Sequence, residues 1–176
     1  MVLGARMQAG LTLIELLVAI VVLGVVLRIA APSFGQLIER QKAQVMIREL
    51  ASGLRTARLE AVQRHRPVIV HGIGDDWSQG WRMLVDESGQ GVADPANPIL
   101  LERSSDGRVQ LKGNAGAPGA IRFNALGAPA FAEGGFQAGT IHACAGQPRM
   151  SQARVIIART GRTRIEQTAR PARPCD

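Results

Sequence analysis

Near its start the chain carries a long apolar run that contains one charged side chain. Residues 11–27 include no Lys, Arg or Asp, and Glu15 is the only carboxylate among them. A helix over these residues would be roughly 25 Å long, since each residue adds about 1.5 Å, and this is the short limit for crossing a bilayer. A carboxylate in hydrocarbon is costly, so a plain membrane anchor does not explain Glu15.

A cleaved secretory signal peptide is the first alternative for this run, and the residues that follow it disfavour that interpretation. Signal peptidase sites have small residues at the positions before the cut. Here Arg28 or Ile29 would occupy the third position before the cut, and Pro32 would follow the best alanine. The apolar helix is therefore predicted to be retained.

A second helical pattern follows Pro32. Its apolar positions are spaced by 4, 3, 4, 3 and 4 residues, which places them on one face of a helix: Ala43, Ile47, Leu50, Leu54, Ala57 and Ala61. This helix is predicted to end near Arg64, before Pro67, and to pack its apolar stripe on a sheet. The polar side of the same helix carries Arg40, Gln44, Arg48, Arg55, Arg58 and Gln63.

From Pro67 the pattern changes to short apolar runs separated by turn residues. Strands are predicted at residues 68–72, 81–85, 99–102, 109–112, 121–123, 140–143 and 154–159. Glycine beside Asp, Glu or Ser marks several of the turns between them. A long helix followed by short strands predicts an α+β fold, in which an antiparallel β-sandwich or two-sheet domain packs on the N-terminal helix.

Positive charge is concentrated in the last part of the sequence. The whole chain has a formal net charge of +7, and residues 149–176 contain seven arginines against two acids. On a strand, Arg162 and Arg164 would project from the same side, and Gly161 would let the backbone turn before them. This charge favours an anionic partner, which would be nucleic acid, anionic lipid or an acidic protein face. A guanidinium donates two parallel hydrogen bonds to phosphate at once, which suits the first two. Arginine and not lysine supplies the positive charge of residues 149–176. A genome-wide preference for arginine codons would produce the same composition without any phosphate binding.

No arrangement of side chains in the sequence is typical of catalysis or of metal binding. The histidines are scattered, no nucleophile is paired with a base, and the acidic residues lack a regular ligand spacing. We therefore expect no enzyme activity, no metal and no cofactor. The two cysteines, Cys144 and Cys175, are able to pair if the domain is exported to an oxidising compartment. Their disulfide would fasten the basic C-terminal segment and contribute roughly 3–4 kcal/mol to stability.

Residues 10–17, GLTLIELL, resemble the processing motif of type IV prepilins and secretion pseudopilins. The resemblance implies that a prepilin peptidase cleaves between Gly10 and Leu11 on the cytoplasmic side and methylates the new amine of Leu11. It also implies a role for Glu15, whose carboxylate would face the Leu11 amine of a neighbouring pilin in the filament. Such a pair offsets part of the desolvation cost and specifies the axial register of the subunit.

Two further segments resemble the FimT/GspH group of minor pilins and pseudopilins. The first is WSQGWRMLVD at residues 77–86, in which we interpret both tryptophans as core residues. The second is GRTR at residues 161–164, which resembles the G-R-x-R element of the FimT proteins that bind DNA during natural transformation. The residues that this resemblance and the neighbouring charge assign to DNA binding are Gly161, Arg162, Arg164, Arg159, Arg170 and Arg173.

These features predict a minor type IV pilin that binds extracellular DNA without sequence preference, for uptake in natural transformation. With no aromatic residue in the basic segment to stack on bases, the contacts are expected to reach backbone phosphates only. The alternative is a structural minor pilin, or a GspH-like pseudopilin of type II secretion, that helps to start a filament and does not bind DNA. The helical arginines, Arg55 and Arg58 among them, are interpreted as a solvated face or filament contacts and not as a DNA site.

The predicted organisation is a leader at 1–10, a transmembrane and filament-core helix at 11–31, an amphipathic helix at 32–66, a β-rich head at 67–160 and a basic tail at 161–176. The protein is expected to cross the inner membrane once, with its C-terminal domain in the periplasm, before it enters a surface pilus. Its expected partners are DNA phosphates, other pilins that contact the N-terminal helix, the prepilin peptidase, and the inner membrane before assembly.

Overall fold

The structure, a computed structural model, describes residues 12–145, 150–167 and 175, without the side chains of residues 29–33, 36 and 150. The chain forms two compact units, residues 1–37 and residues 38–176. Helix α1, Leu13–Arg64, contributes residues to both units. Gly10 and Leu11, at the predicted cleavage site, lie outside the described residues.

In the first unit, the described residues are mainly the N-terminal part of α1, and their apolar side chains are exposed. Thr12 caps the start of this helix, because its Oγ1 accepts a hydrogen bond from the N–H of Glu15 at 3.3 Å. The side chain of Glu15 is exposed. Over the residues that the structure describes, no helix is both long and apolar enough to cross a membrane. The membrane crossing by residues 11–31 stays a prediction.

In the second unit, α1 packs through the apolar stripe that its residue spacing predicts. Every residue of the stripe is fully buried: Ala43, Ile47, Leu50, Leu54, Ala57 and Ala61. The helix ends at Arg64, where the spacing and Pro67 place its end. After it, His65 takes a left-handed backbone conformation with φ of 51°, and the N–H of Arg66 donates to the carbonyl of Ala61 at 3.3 Å.

The described part of the second unit contains two antiparallel sheets of four strands each. The strands are β1 Val68–Ile73, β2 Asp76–Val85, β3 Ile99–Ser104, β4 Gln110–Gly113, β5 Ala120–Phe123, β6 Gly139–Ala145, β7 Met150–Ile157 and β8 Thr163–Gln167. The first sheet has the order β3-β2-β1-β5 and the second has the order β4-β6-β7-β8. A short 3-10 helix, Gly91–Ala93, lies between β2 and β3.

One hydrophobic core joins α1 to both sheets. Trp77 and Trp81 of β2 are buried in it, and the Nε1 of Trp77 donates to the carbonyl of Ala117 at 3.2 Å, so the interpretation of both tryptophans as core residues is confirmed. The buried members of the core all lie within residues 43–157. A chain that begins at residue 38 therefore keeps the whole core. The predicted architecture, a long helix packed on antiparallel sheets, is confirmed as well.

Several strands differ in their bounds from those predicted; β7, for example, covers Met150–Ile157 and not 154–159. The largest differences are in β2 and β8. β2 begins at Asp76 and not at residue 81, because the polar stretch before Trp81 belongs to the strand; the hydroxyl of Ser78, for example, accepts a hydrogen bond from the N–H of Leu111 at 3.0 Å. β8 is absent from the predicted strands because Ile165 is its only apolar residue. Among the described strands it lies at the edge of its sheet and pairs with β7 alone. Residues 163–167 are thus part of the second sheet.

Candidate functional site

The turn between β7 and β8 carries two of the arginines that the sequence assigns to DNA binding. The N–H of Ala158 donates to the carbonyl of Arg162 at 3.0 Å, and the N–H of Gly161 donates to the carbonyl of Ala158 at 2.8 Å. Arg159 and Arg162 are exposed, and no carboxylate of the described residues pairs with either. This tight turn therefore presents two guanidinium groups to solvent.

Gly161 makes the conformation of this turn possible. It is buried, and its φ of +79° lies in the left-handed region that side chains disfavour. A Cβ at this position would collide with the carbonyl oxygen of Gly127 and would lie 3.0 Å from the Nε of Arg58. Glycine is therefore required here for two reasons. Its φ is positive, and both Arg58 of α1 and the loop that contains Gly127 approach it closely.

Arg58 links helix α1 to the loop that follows β5. Its Nε donates to the carbonyl of Gly127 at 3.0 Å, and its half-buried side chain passes beside Gly161. The loop is itself held in place, because Oδ1 of Asn124 accepts a hydrogen bond from the N–H of Leu126 at 3.0 Å. The guanidinium of Arg58 is therefore fixed next to the β7–β8 turn.

A groove of about 430 Å³ opens between α1 and this turn, and we call it the arginine groove. Its lining residues are Arg55, Arg58, Leu59, Val62 and Gln63 from the helix, and Gly161, Arg162 and Thr163 from the turn and the start of β8. Three of these residues are arginines, and the lining that the structure describes includes no carboxylate. The arginine groove therefore combines positive charge with an apolar wall, since Leu59 and Val62 are exposed.

Arg164 differs from Arg162 because it is paired with an acid. Its Nη2 lies 2.7 Å from Oε1 of Glu166, while Arg154 on β7 donates to Oε2 of the same carboxylate from Nε at 2.9 Å and from Nη2 at 2.6 Å. The hydrogen bonds from Arg154, helped by the charges of Arg154 and Arg164, lower the pKa of Glu166, so this carboxylate is ionised at neutral pH. Two cations around one anion leave a single net positive charge.

The predicted site residues thus fall into three groups. Gly161, Arg159 and Arg162 form the β7–β8 turn, whereas Arg164 lies on β8 beside Glu166. The sequence predicts that Arg162 and Arg164 project from the same side of one strand. Arg162 precedes β8, which begins only at Thr163, so this prediction does not hold for Arg162. Arg170 and Arg173 lie outside the described residues.

The predicted disulfide between Cys144 and Cys175 is present. It joins β6 to residue 175 across a Cα–Cα distance of 6.2 Å. Nearby, Nζ of Lys112 on β4 donates to the carbonyl of Cys175 at 3.2 Å. The end of the chain is therefore attached to the second sheet, which also carries Arg164.

Arg55 and Arg58 line the arginine groove, although from the sequence they are interpreted as a solvated face or filament contacts and not as a DNA site. The signal available in the sequence is their position relative to Leu59 and Val62, which follow Arg55 by four and seven residues. Such spacing puts these side chains on one strip of the helix surface, beside the buried stripe. Sequence alone does not reveal that Gly161 and Arg162 lie across from this strip.

The acidic residue of the WSQGWRMLVD segment has a structural role. Asp86 is buried, and its Oδ1 accepts a hydrogen bond from the N–H of Gly91 at 3.0 Å. Its Oδ2 lies 3.2 Å from the Nε of Arg122 on β5. These contacts hold the loop after β2 against the first sheet. Across the described residues, no three His, Cys, Asp or Glu side chains are grouped so as to hold a metal ion.

Comparison with known families gives two matches along the chain. The family described as Type II transport protein GspH matches residues 46–161, which include α1 from Met46 onward and the strands through β7. The prokaryotic N-terminal methylation motif matches residues 5–30. No curated protein sequence matches the chain.

Two solved structures of one protein are similar in fold, both of the type IV minor pilin FimU of Pseudomonas aeruginosa strain PAO1. The crystal structure in space group P21 aligns with a TM-score of 0.60 and 22% sequence identity, over 78% of this chain and 98% of that chain. The structure in space group P65 aligns with a TM-score of 0.57 and 21% identity, over 76% and 99%. At this level of identity the similarity establishes a shared fold.

Proposed function

The chain belongs to the family of the type II transport protein GspH, and we propose that it is a minor type IV pilin that binds extracellular DNA. The family membership and the methylation motif support the pilin part of this proposal, and the exposed Arg159 and Arg162 support the DNA part. Binding would be independent of sequence and would serve DNA uptake in natural transformation. The G-R-T-R element at residues 161–164 is the proposed contact region, with Arg159 adding charge. Arg170 and Arg173 are proposed as auxiliary positive charge.

The observation that carries this proposal is the state of Arg159 and Arg162. Both are exposed on one tight turn and neither has a carboxylate partner among the described residues. A guanidinium held by a surface ion pair must give up that pair to bind phosphate, whereas these two need not. Arg164 is half exposed, and its positive charge is only partly neutralised because Arg154 shares the carboxylate of Glu166.

The expected binding mode is contact with backbone phosphates. No aromatic residue lines the described part of the arginine groove, so bases have no stacking platform there. The turn between β7 and β8 is also no recognition helix that would enter the major groove. Phosphate contacts give modest affinity that does not depend on sequence, and several subunits along one filament would raise it by avidity.

Assembly into the filament is proposed to depend on the N-terminal segment. Cleavage between Gly10 and Leu11 by a prepilin peptidase would free and methylate the Leu11 amine, which the matched methylation motif supports. Glu15 would then pair with that amine in a neighbouring subunit, after the protein has been held in the inner membrane with its C-terminal domain in the periplasm. The exposed position of the Glu15 side chain in the isolated chain is compatible with this role.

The direct test is DNA binding by residues 38–176, which contain the whole core. Fluorescence anisotropy with duplexes of unrelated sequence is expected to give similar, salt-sensitive affinities. Arg162→Ala combined with Arg164→Ala should weaken binding to all of them alike. Arg103→Ala, a matched control on the exposed part of β3, should leave affinity nearly unchanged. Equal affinity of the double variant and the wild type, or no binding at all, would contradict the proposal.

The second candidate is a structural minor pilin or GspH-like pseudopilin that starts filament assembly without binding DNA. The family match at residues 46–161 favours it, because that family is described by transport and not by DNA. A deletion strain distinguishes the two by its transformation frequency and its number of pili. Lost uptake with normal pili supports DNA capture, whereas a parallel loss of both supports the structural role.

A further inference from the structure

We propose that helix α1 supplies half of the DNA site, so that the arginine groove holds one sugar–phosphate unit of a DNA strand. This inference rests on the proposed DNA binding and adds residues to it. Arg55 and Arg58 would share the phosphate with Arg162, and the deoxyribose would lie against Leu59 and Val62. Neither the G-R-T-R element nor the C-terminal charge points to these helical residues.

Charge is the first reason. The arginine groove is lined by three arginines, and the described residues place no acid in its lining and no carboxylate partner beside Arg55 or Arg162. Like charges gathered on one concave surface repel each other unless an anion is present. A phosphodiester is such an anion, and its oxygens accept the paired hydrogen bonds that guanidinium groups donate.

Preorganisation is the second reason. The Nε of Arg58 is held by the carbonyl of Gly127 at 3.0 Å, so this side chain loses little conformational freedom when it binds a ligand. Gly161 leaves the space through which Arg58 reaches the turn, since a Cβ there would lie 3.2 Å from its Cδ. The glycine of the G-R-T-R element thus brings a helical arginine and Arg162 to the same groove.

The apolar wall is the third reason. Leu59 is 61% exposed and Val62 is 41% exposed, and both line the arginine groove together with its arginines. A free inorganic anion would gain nothing from such a wall, whereas the carbon face of a deoxyribose would bury it. The occupant that fits both the charge and the wall is the sugar–phosphate backbone.

The experiment measures DNA affinity of residues 38–176 by anisotropy over a range of salt concentrations. Arg55→Ala is expected to weaken binding several-fold and to make the slope of log K against log salt less steep by no more than about 1, because Arg58 and Arg162 still contact the shared phosphate. Leu59→Asn is expected to weaken binding without changing that slope. Arg103→Ala is the control, because it removes one exposed positive charge from β3, which lies at one edge of the first sheet. Arg58 is left intact because its bond to Gly127 also supports the fold.

A double-mutant cycle separates a shared site from general charge loss. The effects of Arg55→Ala and Arg162→Ala should be non-additive if both guanidiniums bind one phosphate, while Arg103→Ala and Arg162→Ala should add. If Arg162→Ala weakens binding but Arg55→Ala and Leu59→Asn behave like the wild type, the groove inference is wrong and the proposed function survives. If the wild type does not bind DNA, both are wrong. Melting temperatures close to that of the wild type verify that each variant is folded.

Discussion

Gly161→Ala is the substitution that probes the arginine groove most specifically. The residue has φ of +79° and is buried, so an added Cβ meets an unfavourable backbone conformation and an occupied space at once. The neighbouring atoms are the Gly127 carbonyl and the Arg58 side chain, which cannot both remain in place. The expected result is a displaced Arg58 and a distorted β7–β8 turn.

The size of the effect follows from two costs. A left-handed conformation costs a residue with a side chain about 1 kcal/mol, and forcing an atom into packed surroundings costs about 1–3 kcal/mol more. Gly161→Ala should therefore lower the free energy of unfolding by about 2–4 kcal/mol. For a unit of about 140 residues, 1 kcal/mol corresponds to roughly 3 °C, so the melting temperature should fall by about 6–12 °C.

Gly89→Ala is a matched control for the backbone cost. Gly89 has nearly the same φ, +78°, but a Cβ at that position would have no atom within 4 Å. It should lose only about 1 kcal/mol, or about 3 °C in a thermal melt followed by circular dichroism. Gly161→Ala should also weaken DNA binding, while Gly89→Ala should not. Equal melting temperatures for the two variants would refute the collision, and an unchanged DNA affinity of folded Gly161→Ala would refute its role in the site.

Three further predictions concern the acid beside the site, the disulfide and the N-terminal segment. Glu166→Gln should increase DNA affinity at neutral pH because it removes the anion that pairs with Arg164, whereas Glu102→Gln, which removes an acid on β3 that pairs with Arg82, should not. A decrease for Glu166→Gln would contradict this. Cys175→Ser should cost roughly 3–4 kcal/mol, because the disulfide spans 31 residues of sequence, and a thermal melt unchanged from that of the oxidised wild type would contradict the estimate. Glu15→Ala should insert in the membrane normally but be depleted from sheared pili by immunoblot, and wild-type amounts in the pili would disprove the register role.

Much of the fold follows from local sequence patterns. The stripe from Ala43 to Ala61 predicts the buried face of α1, and Pro67 predicts its end, because both signals are set by neighbouring residues. β8 escapes prediction because an edge strand buries little and needs few apolar residues. The start of β2 is misplaced because Ser78 looks like a turn residue until its hydrogen bond with Leu111 is known.

The candidate site is predicted only in part, for a different reason. The G-R-T-R element can be recognised along the chain, and Cys144 and Cys175 can be paired by elimination, since the chain has no other cysteine. The place of Arg58 depends on a contact with Gly127 that lies 69 residues further along the chain. Pairings over such distances are decided by tertiary packing, so a helical arginine looks like a solvated one in the sequence.

The proposed function depends on exposed guanidiniums that bind DNA phosphates. The most direct measurement is the affinity of residues 38–176 for a duplex of arbitrary sequence, titrated from about 50 to about 200 mM salt. If at least two phosphates are neutralised, log K should fall linearly with log salt with a slope steeper than about −1.8. A flat dependence on salt, or no binding at the lowest concentration, would contradict the central claim.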